Sequence, residues 1–137
     1  MLCLCDVVVA ASDTRWRLPE VALGMVPTAV WPALSYRVSP AMASRLLLTR
    51  TSWGAQDALT WGLVAEVVPF DAVKAAVEAY ASTWRTLPRV TLVETKKMLN
   101  LLSGDDFRRQ MQSIRPWVLS APRDPQAQQR IAALLAR

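Results

Sequence analysis

The sequence has no histidine. That absence removes serine–histidine and cysteine–histidine catalytic pairs from within the chain. It also leaves a zinc site to two cysteines and carboxylates, too poor a ligand set for a metal to be expected. The two cysteines are Cys3 and Cys5. On a strand they would share one face, so buried thiols are expected rather than a disulfide framework. Glycine is scarce, with 4 residues against 9 prolines, which suggests helices with sharp ends. No apolar run is long enough to cross a bilayer. The opening Met1-Leu2-Cys3-Leu4-Cys5 carries no basic leader and meets Asp6 at once. It does not read as a signal peptide. A cytoplasmic protein with no membrane partner is expected.

Acidic residues are the minority charge. There are 11 Asp and Glu against 16 Lys and Arg, for a net charge of +5. The basic residues are scattered, with only short pairs such as Lys96-Lys97 and Arg108-Arg109. No basic stripe interleaved with aromatics appears, so no nucleic-acid partner is expected. Mild basicity also suits a small ligand that bears phosphate.

What is present is apolar. Hydrophobic residues make up 53% of the 137, and 6 are tryptophan. Such a chain should bury a core or a large interface. Leu4 to Ala11, centred on Val7-Val8-Val9, reads as a strand buried on both faces. Ser12-Asp13-Thr14 reads as a turn. Pro19 and Pro27 bracket a tight apolar segment, and Pro32 should break or delay the next helix. Ser39-Pro40 is a helix start with a serine cap, running to Leu48. Gly54 can cap a helix with Gln56 and Asp57 in its first turn, ending before Gly62. Leu63 to Val68 is a second strand, stopped by Pro69.

Beyond Pro69 the pattern is helical. Val73, Ala76, Val77, Tyr80 and Trp84 share a face at helical spacing. After Pro88, Leu92, Thr95, Leu99 and Leu102 share another. A third helix is expected from Asp105 or Asp106, with Phe107, Met111, Ile114 and Val118, kinked or ended by Pro116. Asp124-Pro125 opens a fourth, with Ala127, Ile131, Leu134 and Leu135 apolar.

Several of these pieces form an ordered set. They are Cys5-Asp6-Val7-Val8-Val9-Ala10-Ala11, Pro19-Glu20-Val21-Ala22-Leu23-Gly24-Met25-Val26-Pro27, Leu47-Leu48-Thr49, Ala55-Gln56-Asp57-Ala58-Leu59-Thr60-Trp61-Gly62-Leu63-Val64 and Val67-Val68-Pro69. In order and spacing this set resembles the crotonase superfamily of enoyl-CoA hydratases and isomerases. The resemblance implies an α/β fold, mainly α here: the C-terminal part of a ClpP/crotonase-like spiral core over residues 1–69, then a helical trimerisation region over 70–137. It implies an acyl-CoA thioester as substrate, no separate cofactor, and a homo-oligomer, trimer or hexamer.

The resemblance also assigns roles. Glu20, in a segment otherwise without charge through Pro27, matches the family's second catalytic glutamate, which exchanges a proton at the substrate carbon. From the residues alone, Glu20 reads equally as an early helix residue favoured by the helix dipole. Trp16, Pro27 and Trp31 are candidates to line an acyl pocket, with packing as the competing reading. Asp6 is expected to hydrogen-bond structurally, and Asp57 and Glu66 to be solvated or capping groups. A residue from the C-terminal helices can reach CoA in the family. Lys96, Lys97 and Arg137 are of the right kind, and no motif selects among them.

The sequence departs from the pattern in places. Thr28-Ala29-Val30-Trp31-Pro32 replaces a Gly-rich run and looks closer to a branch resembling methylglutaconyl-CoA hydratases. Arg17 stands where a small residue is usual, and Arg50 where Gly usually follows the Thr. The Gly-Gly-Gly-x-Glu-Leu segment that supplies an oxyanion donor is absent, and by register the first catalytic Glu would fall immediately before Met1. The expectation is a truncated chain, inactive alone. The alternative is a non-catalytic remnant, a helical oligomerisation protein.

Overall fold

The computed structural model describes residues 2–120 and 125–136. Two compact units interleave along the sequence. One comprises Met1–Arg15 and Trp53–Asp106, the other Trp16–Ser52 and Phe107–Arg137. The divisions fall after Arg15, Ser52 and Asp106.

In the first unit, β1 (Val9–Ala11) lies parallel to β4 (Glu66–Val68). The register pairs Val9 with Glu66, Ala10 with Val67 and Ala11 with Val68. Ser12 N to Val68 O and Ala65 N to Val8 O, both 2.8 Å, extend the ladder. The pair is shorter than the expected strands Leu4–Ala11 and Leu63–Val68. Pro69 ends β4 because it has no N–H to give, and in the parallel register the residues before Val9 face the turn around Gly62, which offers no strand to pair with. The chain before β1 instead forms a 3-10 turn, Leu2–Leu4. The cysteines therefore do not lie on a strand: Cys3 is half-buried and Cys5 exposed, and no disulfide joins them.

Helix α3 (Ala55–Thr60) precedes β4. The Asp57 carboxylate accepts a hydrogen bond from Gly54 N at 3.0 Å, which satisfies a backbone donor at the helix start. Gly62 turns the chain at φ 76, and Leu63 N returns to Ala58 O at 2.8 Å. Ala10, Trp53, Ala55, Ala58, Leu63 and Val64 are buried. Trp53 and Trp61 meet with ring centroids 6.3 Å apart. Two short strands, β2 (Arg15–Trp16) and β3 (Trp53–Gly54), pair with each other.

Helix α4 (Val73–Thr86) follows a 3-10 turn at Phe70–Ala72. It packs near β1, yet none of its residues is fully buried. Of its expected face, Val73, Ala76 and Tyr80 are half-covered, while Val77 and Trp84 are exposed. Pro88 separates α4 from α5 (Arg89–Ser120). Helix α5 runs straight through Gly104 and the Asp105-Asp106 pair, so no third helix begins there. A helical Gly costs only about 1 kcal/mol, less than the turns on either side supply. Pro116 also lies inside α5. Leu92 is half-covered, and Thr95 and Leu99 are exposed. The side chains of Leu102, Phe107, Met111, Ile114 and Val118 lie outside the described residues, as does Asp124.

The second unit holds α1 (Trp31–Leu34), α2 (Pro40–Leu48) and α6 (Pro125–Leu135). Pro32 does not delay α1; it occupies the first turn, where its missing N–H costs nothing. Ser39 Oγ accepts from Met42 N at 3.3 Å, capping α2. Pro32, Ala33, Leu34, Ala43, Leu46, Leu47 and Ala127 are buried. Among the described residues no helix is long and apolar enough to cross a membrane.

Candidate active site

Glu20 begins a tight turn in the second unit. Arg17, Leu18 and Pro19 lead into it without regular structure, and a 3-10 turn follows at Val21–Leu23. Glu20 is helical at φ −54, ψ −53. Its carbonyl accepts from Leu23 N at 3.0 Å and from Met25 N at 2.9 Å. Gly24 then turns the chain at φ 77, a conformation L side chains resist. The backbone on either side of Glu20 is thus closed on itself.

The side chain is different. Glu20 is half-buried, and its Oε2 is fully buried with no hydrogen-bond partner. Among the described residues only Trp53 Nε1, in the other unit, shares that condition. A buried carboxylate oxygen without a donor is costly and rare. Among the described residues no basic side chain forms an ion pair with it.

The three proposed pocket residues belong to the same unit. Trp16 is half-buried, and its carbonyl accepts from Ser52 Oγ at 3.2 Å. Pro27 places its carbonyl under Val30 N at 3.2 Å and Trp31 N at 3.0 Å. It is therefore the turn that starts α1, with its carbonyl already used. Trp31, half-buried, is the first residue of α1. Trp16 and Trp31 do not stack on each other.

The remaining candidates are engaged elsewhere. Lys96 forms an exposed ion pair with Asp6, which gives Asp6 its structural bond. Lys97 pairs with Glu94 at 2.8 Å. Glu66 meets the Tyr80 hydroxyl; burial, then the Glu66 charge and hydrogen bond, push the Tyr80 pKa up. Arg137 lies outside the described residues.

Sequence reasoning missed the neighbours of the turn. Arg130 Nη1 donates to Ala22 O at 3.3 Å, and Ala127 of α6 sits against Gly24. No motif marks either. It also missed why position 50 matters: Arg50 has φ 58. The family's glycine there was the available signal.

The sequence profile of the Enoyl-CoA hydratase/isomerase family matches residues 1–118. The chain belongs to this family. Its relatives include the 2,3-dehydroadipyl-CoA hydratase of Escherichia coli K12, 30% identical over 125 residues, covering 77% of this chain and 49% of that one. The carnitinyl-CoA dehydratase of Proteus mirabilis is 34% identical over 64 residues, 46% of this chain and 24% of that one. The chain thus spans half the length or less of these relatives. An enoyl-CoA hydratase/isomerase from Pseudoalteromonas atlantica T6c has the same fold, with TM-score 0.88 at 24% identity, covering 98% of this chain and 55% of that one. This crotonase-like likeness accounts for the strand and helix order. Glu20, Trp16, Pro27 and Trp31 fall within the family match; Ala127 and Arg130 lie beyond it.

Proposed function

We infer that this chain supplies one carboxylate of an active site that hydrates or isomerises an unsaturated acyl-CoA thioester. The observation that carries the reading is the buried, unpaired Oε2 of Glu20 in the family's Pro-Glu position. In hydration, water oxygen bonds to the β-carbon and loses a proton to the opposing family glutamate, which this chain does not supply, while the double-bond pair moves toward the thioester carbonyl. The α-carbon then takes a proton, and Glu20 is the group that delivers it. The reverse reaction returns that proton to Glu20. The carbonyl oxygen gains charge meanwhile and needs two fixed N–H donors. The Gly-Gly-Gly-x-Glu-Leu segment that resembles such a donor is not among these 137 residues. The proposal therefore includes no turnover by the 137 residues alone.

Trp16 and Trp31 present half-covered indoles suited to an acyl chain, with Pro27 fixing the approach to Trp31. A branched acyl group, as in the methylglutaconyl-CoA hydratase-like branch, is the finer form of this proposal. CoA itself is substrate, and no cofactor is invoked.

The test follows loss of the conjugated enoyl-thioester absorbance, with the chain alone and with a family N-terminal segment bearing Gly-Gly-Gly-x-Glu-Leu added. Turnover only in the mixture, lost in Glu20→Gln, supports the reading. Equal turnover by Glu20→Gln defeats it.

A second reading has its own observation. On α4 and α5, Trp84, Val90, Val93 and Met98 are exposed. Exposed large apolar residues of this kind suit self-association, and a non-catalytic oligomerisation protein would use them without Glu20. Trimers or hexamers by light scattering, with no turnover in the mixture, would favour this reading.

A further inference from the structure

Each carbonyl of the Glu20 turn from Pro19 to Ala22 has a donor. Leu23 N serves Pro19 and Glu20, Met25 N serves Glu20 again, and Gly24 N serves Val21. For Ala22 the donor comes from 108 residues away, as Arg130 Nη1. Two residues along, a Cβ built on Gly24 would lie 3.1 Å from Ala127 Cβ and 3.3 Å from its Cα. Ala127 is 0% exposed. Positions 127 and 130 lie on one face of α6. That helix therefore bears on the turn twice, once by shape and once by a charged hydrogen bond.

We propose that α6 is a clasp on the Glu20 turn and that Arg130 is a positioning residue for the Glu20 carboxylate. The proposal rests on Glu20 being the proton-handling group. Small residues at 24 and 127 let helix and turn approach closely. The guanidinium then fixes the sliding direction that close packing leaves open. A charged donor makes this bond stronger than a neutral one. Arg130 is exposed, so losing it does not open the core. Its effect reaches the carboxylate through the backbone from Ala22 back to Glu20.

The test reads the carboxylate itself. The full chain is treated with a water-soluble carbodiimide and an amine, and modification of each carboxylate is timed by mass spectrometry. Glu20→Gln assigns the Glu20 signal, and exposed Asp57 is the internal reference. Arg130→Ala should speed Glu20 modification about fivefold, and Arg130→Lys should stay within about twofold of the parent, since lysine can still donate. Gln129→Ala, on the same helix, should change nothing. An unchanged Glu20 rate in Arg130→Ala overturns the clasp. So does a parallel rise at Glu20 and half-buried Glu66, which would mean general loosening. In the mixture that turns over enoyl-CoA, Arg130→Ala should lower kcat about fivefold with KM unchanged. If no mixture turns over, the reading of Glu20 fails, while the labelling rates still decide the clasp.

Discussion

Two turns of the same unit pass through the left-handed region, one at Gly24 with φ 77 and one at Arg50 with φ 58. They make opposite use of it. At Gly24 the missing Cβ is required twice, by the backbone angle and by Ala127 at 3.1 Å. At Arg50 an L side chain accepts the angle at a cost of about 1–2 kcal/mol. Arg50 is exposed at the end of α2, where the Thr49 hydroxyl bonds Arg45 O at 2.7 Å and lies 2.6 Å from the Thr51 hydroxyl. Strain is tolerated where only the angle is at stake and is avoided where a helix closes on the turn.

The comparison can be broken most sharply at its functional end. Glu20→Gln should lower enoyl-CoA turnover by about 10²–10⁴-fold in the reconstituted mixture while leaving the denaturation midpoint close to the parent's. A stability change as large as that of a core mutation would recast Glu20 as structural. Next comes Gly24→Ala, which should cost about 3 kcal/mol in chemical denaturation, from the angle and the overpacking together. Ala127→Gly in the same chain should recover only the packing share of that loss, less the roughly 0.5–1 kcal/mol that a glycine costs within α6. Full recovery would show that the angle carries no cost here. Arg50→Gly should instead stabilise by about 0.5–1 kcal/mol, the relieved strain outweighing the extra freedom of glycine when unfolded. The smallest effect belongs to Arg50→Ala, which should stay within about 0.5 kcal/mol of the parent because alanine pays the same angular cost. A large loss there would give the guanidinium a role of its own.

Much of this was legible from local signals. Ser39-Pro40 marks the start of α2, Gly54 with Asp57 that of α3, and Pro69 the end of β4, since each acts on its immediate neighbours. The Pro-Glu run singles out Glu20 only through its place in the ordered set that carries the family resemblance. The misses have physical causes. Asp105-Asp106 looks like a helix start and Pro116 like a stop, but Gly104 costs only about 1 kcal/mol and Pro116 about 3, and α5 continues through all of them. The β1 strand shrinks because its length is set by a partner far along the chain. Cys3 and Cys5 leave the expected face once that strand is gone. Arg130 and Ala127 could not be found at all, because their work depends on meeting Ala22 and Gly24 across most of the sequence.

That distance matters during synthesis. A ribosome adds about 5–20 residues per second, and 108 residues separate Ala22 from the arginine that bonds it. The Glu20 turn therefore waits roughly 5–20 seconds for its last hydrogen bond. For that interval the turn has neither the donor for its Ala22 carbonyl nor the alanine that closes on Gly24.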